Sequence, residues 1–329
     1  MKRYQAHILL LIMALIYSGN FPIAKSLFEL HLNISSSELV LIRVIFAAVC
    51  FIILETFFVN REARSKVKLK DFILPALMLA IGSQLLFFWG LKLTSSTSAS
   101  IMRLSTPISV FIIAYYIGQE KFKKKRMYGI LVGTLGALVT IIGPILERSY
   151  LDLMSFSNWK GDILVLLSAI AFGYYTILAK KLIRQGYRAV SILKWSFVIG
   201  AVSLIYVYAI LGMMPLGFDQ FSFFDIQWRL FELNDWAALS YFLVGATFFT
   251  FLINISVLQK LDASTVSFYT LLLPLFTGII VVCFFEETVS LSMVIGGILI
   301  LLGIIWIYGI QIVLNPIKSI LKDFLCSKK

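Results

Sequence analysis

Two arginines stand where charge is expensive. Arg43 and Arg103 each fall inside a long apolar segment, roughly 8 Å from its end at 1.5 Å per helical residue. A charge in hydrocarbon costs at least about 2.5–3.5 kcal/mol on insertion scales, so an arginine kept there usually serves a purpose. Its guanidinium presents a planar fork of N–H donors matched to a carboxylate, which makes both residues candidates for holding an anionic solute. The alternative is a side chain that extends to the nearer interface or caps a helix end. Asn20, Gln84 and Asn254 are uncharged polar groups in similar surroundings. Each either lines a polar cavity or joins two helices through a bond worth about 0.6 kcal/mol. Tyr17, Trp89, Tyr174, Tyr175 and Tyr269 offer aromatic faces to an apolar or cationic solute, with core or lipid contact as the plainer use.

Other chemistries lack their residues. His7 and His31 are the only histidines, both near segment ends, and no acidic pair falls within an apolar segment. Cys50, Cys283 and Cys326 show no spacing of a disulfide framework or metal site, and no phosphate-cradling glycine loop occurs. An enzyme, a resident metal and any cofactor are therefore not expected. A proton relay would need a carboxylate at mid-membrane, and none is found, so movement of solute down its own gradient, or weak coupling through some other group, is expected.

The elements that must position these residues are apolar helices. The chain is 60% hydrophobic and 14% charged with mean hydropathy +0.93, against roughly one-quarter charged residues in soluble domains. About 20 apolar residues cross a bilayer, which gives approximate spans at 7–27, 37–59, 72–91, 98–118 and 128–146, then 162–182, 189–211, 236–258, 263–285 and 291–314. The expected fold is an all-α integral membrane protein of ten transmembrane helices. With the N-terminus in the cytoplasm, 22 of the 29 Lys and Arg fall inside, so both termini are expected there and the net charge of +12 faces anionic lipid rather than nucleic acid.

The chain is also duplicated. Residues 91–120 recur at 258–287, with Pro107 and Pro274, Glu120 and Glu287, and Gly129 and Gly296 all separated by 167 positions. Residues 10–25 match 165–180 at an offset of 155. Five spans per half is an odd number, so the halves cross in opposite senses as two inverted five-helix repeats. That architecture places solute at mid-membrane between halves that rock against each other. Residues 1–147 form the first repeat, 158–315 the second and 316–329 a cytoplasmic tail. Pro22, Pro107 and Pro274 each remove a helical hydrogen bond and are expected as hinges or kinks. Gly129, Gly133 and Gly136 in span five, with Gly296 and Gly303 in span ten, form small faces for close packing between the halves or between protomers of a homodimer.

The two copies, TSASIMRLSTPISVFIIAYYIGQEKFKKKRMYGILVGTLGALV and LDASTVSFYTLLLPLFTGIIVVCFFEETVSLSMVIGGILILLGIIW, with NFPIAK ending the first span, resemble the EamA-type module of the drug/metabolite transporter superfamily. The resemblance implies export of amino acids, drugs or related small metabolites across a bacterial cytoplasmic membrane. Arg103 departs from the uncharged residue that the family usually carries there. Uptake or exchange of phosphorylated or nucleotide-sugar-like solutes is the alternative within transport, and a membrane receptor is the alternative outside it.

Overall fold

The computed structural model describes residues 3–29, 34–58, 68–94, 99, 102–148, 159–211, 231–273, 275–277, 279–280 and 291–308. Helices account for nearly all of them, and no strand occurs among the described residues. A chain with so few polar side chains can satisfy its backbone in lipid only by bonding within each segment. In chain order the helices are α1 (Arg3–Ser18), α2 (Asn20–Glu29), α3 (Ser36–Phe58), α4 (Lys70–Leu93), α5 (Ser105–Tyr116), α6 (Lys124–Arg148), α7 (Trp159–Arg184), α8 (Ala189–Leu211), α9 (Leu233–Leu258), α10 (Ala263–Phe268) and α11 (Leu291–Tyr308). Six stretches are long and apolar enough to cross a membrane: Tyr4–Ala24, Ser36–Phe57, Lys70–Leu93, Trp159–Arg184, Ala189–Ile210 and Leu233–Leu258. Shorter apolar helices lie at Ser105–Tyr116, Ala263–Thr277 and Val294–Gly303. Leu15, Val49, Ile53, Leu135 and Ile205 are exposed, the outward-facing apolar surface of a protein that sits in acyl chains.

The main contacts join helices of the first half to helices of the second: α1 with α9, α3 with α8, α4 with α7 and α8, α5 with α7 and α10, and α6 with α11. Exchanging the halves turns the α1–α9 contact into the α7–α4 contact and leaves the α3–α8, α5–α10 and α6–α11 pairings as they are. The glycines of α6 and α11 are used in this way. A Cβ on Gly136 would lie 2.7 Å from the Gly296 carbonyl, and one on Gly303 would lie 2.8 Å from that of Gly129. Gly133 faces Leu271 at 2.8 Å. All five glycines named from the sequence thus meet within one chain, between its halves.

Several segments depart from simple α-helices. The first apolar run breaks at Gly19, between α1 and α2, and Pro22 falls in the first turn of α2. Pro107 likewise falls in the first turn of α5, after Leu104. A first-turn N–H has no helical partner in any case, so these prolines start helices instead of bending their middles. Pro274 lies outside the described residues. Where the sequence suggests unbroken helices, α4 is π-helical over Met78–Leu85 and α9 over Tyr241–Phe249. The two occupy the same place in their halves, in the third span of each.

Candidate functional site

A cavity opens where α1, α5, α7, α9 and α10 approach one another, its empty space of about 500 Å³ running out into open solvent. Its walls are Met13, Tyr17, Arg103, Thr106, Phe172, Thr250, Phe251, Asn254, Thr270 and Leu273. Broken or irregular backbone surrounds it. At the Gly19 break the last carbonyls of α1 lose their helical partners. Ser18 Oγ donates to the Leu15 carbonyl at 2.6 Å, Tyr241 Oη to Ile16 at 2.5 Å and Thr277 Oγ1 to Ser18 at 3.0 Å. Gly19 is required for this, since a Cβ there would sit 2.6 Å from the Tyr241 hydroxyl. Beside the cavity α10 tightens into a 3₁₀ turn over Tyr269–Leu272.

Arg103 is 8% exposed, and that remainder faces the cavity. Its guanidinium lies over the rings of Phe87 and Phe172, 4.7 and 5.5 Å from their centroids. It donates two long hydrogen bonds, to Ser168 Oγ at 3.4 Å and to Tyr17 Oη at 3.3 Å. Neither partner carries a charge. Arg43 stands behind Tyr17, 1% exposed and off the cavity wall. Its ring partners are Phe242 at 4.8 Å and Phe88 at 5.6 Å. It donates to Asn20 Oδ1 at 3.4 Å and to the Ala246 carbonyl at 2.9 Å, within the π-helical part of α9. Such a segment leaves carbonyls off the i→i+4 ladder. Arg43 and Thr250 Oγ1 both donate to this one. Among the described residues no carboxylate pairs with either guanidinium.

Of the other residues singled out from sequence, Tyr17 and Asn254 line the cavity, Asn254 with its Nδ2 3.8 Å from Met13 Sδ. Asn20 is fully buried beneath Arg43, while Gln84 is buried in the π-helical part of α4. Trp89 donates to Ser37 Oγ at 2.9 Å, tying α4 to α3. Tyr175 packs in the core beside Phe172, and Tyr269 Oη bonds His7 Nδ1 at 2.8 Å, linking α10 to α1. Sequence reasoning passed over Thr106, Phe172, Thr270 and Leu273. The repeat held a signal for all four. Arg103 and Thr270, and Thr106 and Leu273, are 167 positions apart, while Tyr17 and Phe172 are 155 apart. Each pair contributes both members to the wall.

One end of the bundle is closed by polar contacts between the halves. Arg126 bonds Glu120 at 2.5 Å and Asp262 at 3.0 Å, and the Ser264 hydroxyl donates to Glu120. Gln119 Nε2 likewise donates across to the Ile177 carbonyl at 3.2 Å, while within the second half Lys180 Nζ donates to the carbonyls of Leu258 and Leu261 at 2.5 and 2.9 Å. This is the end that the distribution of lysine and arginine assigns to the cytoplasm.

A family model described as the EamA-like transporter family matches residues 5–142 and 159–309. The uncharacterized transporter YyaM of Bacillus subtilis is 26% identical over 269 residues, 80% of this chain and 81% of its own. The WAT1-related protein At3g53210 of Arabidopsis thaliana is 26% identical over 329 residues, 92% of this chain and 85% of its own. A solved crystal structure shares the fold with a TM-score of 0.69 at 13% identity, over 93% of this chain and 98% of that one. With both halves matched and helices of membrane-crossing length around a shared cavity, the chain belongs to the EamA-like transporter family and is a multi-pass membrane transporter.

Proposed function

We propose that the chain carries small carboxylate-bearing metabolites, the class that includes amino acids, out of the cytoplasm by alternating access between two inverted five-helix repeats. In this reading ten helices cross the bacterial cytoplasmic membrane, residues 1–147 and 158–315 form the repeats, and both termini lie in the cytoplasm. The central cavity is the solute site. The observation that carries the reading is that repeat-related positions of both halves make up its wall, as at Arg103 and Thr270 or Tyr17 and Phe172. A site on a pseudo-symmetry axis is what rocking one half against the other exposes alternately. The interchange of helix contacts between halves supports the same reading. Arg103 binds the solute carboxylate, Asn254 and the threonines orient it, and the Glu120–Arg126–Asp262 contacts close the cytoplasmic side in the outward-facing state of the cycle.

The test needs no knowledge of the cargo. With Cys50, Cys283 and Cys326 replaced by serine, a single Thr270→Cys variant is labelled by a membrane-impermeant maleimide in right-side-out and in inverted vesicles. Reaction from both faces is expected, the cavity being open to each in turn. Reaction from one face only, unchanged by temperature or added solutes, refutes alternating access at this cavity.

A further inference from the structure

The charge around the cavity is unbalanced, and the imbalance narrows the class of solute. Among the described residues Arg103 is the one charged side chain on the wall. Two of its five N–H donors are engaged, at 3.3 and 3.4 Å, distances an incoming acceptor easily displaces. Behind it, Arg43 has Arg103 and the Tyr17 phenol as its electrostatic neighbours, and no carboxylate among the described residues. Two cations therefore converge on one phenol inside the membrane before any solute arrives. Burying uncompensated charge is costly, so the pair favours an occupant that brings negative charge and disfavours one that brings more positive charge. The rest of the described wall gives an ammonium no carboxylate, only the neutral dipoles of Asn254 and the threonines and the faces of aromatic rings. Thr250 and Thr270 have given their hydroxyl hydrogens to the carbonyls of Ala246 and Ser267, at 2.7 and 2.6 Å. Their oxygens remain as neutral dipoles, and Met13, Phe251 and Leu273 are apolar.

We propose that the cavity selects organic acids of net negative charge, a carboxylate on an apolar body, over zwitterions of the same shape, because two converging arginines face a wall without a carboxylate. The proposal rests on the reading of this cavity as the solute site. The carboxylate sits on Arg103 and replaces its long bonds to Ser168 and Tyr17. Arg43 adds its field through the phenol, and the carbon skeleton lies against Phe172 and Phe251.

Equilibrium binding of labelled 3-phenylpropionate to the full chain in lipid nanodiscs tests this, with L-phenylalanine and 3-phenylpropanamide as competitors on the same skeleton. Saturable binding of 3-phenylpropionate is expected, with L-phenylalanine at least about tenfold weaker, since its ammonium is left unpaired, and the neutral amide weaker still. Arg103→Gln should abolish binding and Arg103→Lys should retain part of it. The competition series uses wild-type protein, so a variant that fails to fold does not spoil the test. L-phenylalanine binding as tightly as the acid, or undiminished binding by folded Arg103→Gln, overturns the proposal. So does absence of binding by all three compounds in protein whose cavity still labels from both faces, an outcome that leaves the transport reading intact. Labelling from one face only fails the transport reading instead.

Discussion

Adding one methyl group at Gly136 tests the contact that joins the two halves at α6 and α11. A Cβ there would lie 2.7 Å from the Gly296 carbonyl oxygen, from the Ile300 nitrogen and from Leu299 Cβ. Two of these atoms are backbone and cannot rotate aside. Restoring an ordinary contact of 3.4 Å requires the helices to part by at least about 0.7 Å along that line. Overpacking of this kind costs about 1–3 kcal/mol. Replacing a helical glycine by alanine also returns about 0.8–1 kcal/mol of backbone propensity. The net expectation for Gly136→Ala is a loss of about 0–2 kcal/mol despite the better helix former. Gly245→Ala is the control, because its nearest neighbour is Ile16 Cγ2 at 3.5 Å, an ordinary contact, and only the propensity gain should remain. Thermal unfolding of the purified variants in one detergent, followed by tryptophan fluorescence, should rank Gly136→Ala below wild type and Gly245→Ala at or above it. A midpoint for Gly136→Ala at or above that of Gly245→Ala would refute the close approach of α6 and α11.

Two further substitutions probe the polar joints. Tyr241→Phe removes the donor to the Ile16 carbonyl at the Gly19 break and should cost about 1–3 kcal/mol, the price of a buried carbonyl left without a partner; an unchanged midpoint in the same unfolding assay would show that the break finds another donor. Glu120→Gln keeps the shape of the side chain but removes the charge that Arg126 and Ser264 meet between the halves. It should raise the rate of Thr270→Cys labelling from the cytoplasmic face relative to the outer face, and an unchanged ratio would show that these contacts do not hold that side shut.

The membrane class was legible because composition alone decides it, and the position of a helix under each apolar segment follows from the same pattern. The glycine faces were legible too, since a side chain of zero length has few uses inside an apolar helix other than close approach. Arg103 and Asn254 could be picked out because polarity in hydrocarbon is conspicuous. Arg43 was equally conspicuous for a different reason, its bond to a carbonyl in a π-helical segment whose existence no periodicity reveals. Pro22 and Pro107 sit in the first turns of helices, and where a helix begins depends partly on tertiary donors such as Tyr241 at the Gly19 break. Threonine and phenylalanine at the cavity are common residues in any membrane helix, so only the repeat offsets distinguish the ones that matter.

The twin π-helical stretches have a mechanical meaning. A turn closed by i→i+5 bonds holds one residue more than an α turn, a spare link kept inside an otherwise continuous helix. Moving that link along the helix turns the part it passes by about 100° and advances it by about 1.5 Å, with no free end created. In α9 the spare link ends at Phe249, just before Thr250 and Asn254 on the cavity wall. Its migration would re-aim both side chains, while Arg43 and Thr250 stand ready to take up the carbonyl that changes partner. A matching link in α4 gives the other half the same freedom, so each half carries its own screw adjustment beside the common cavity.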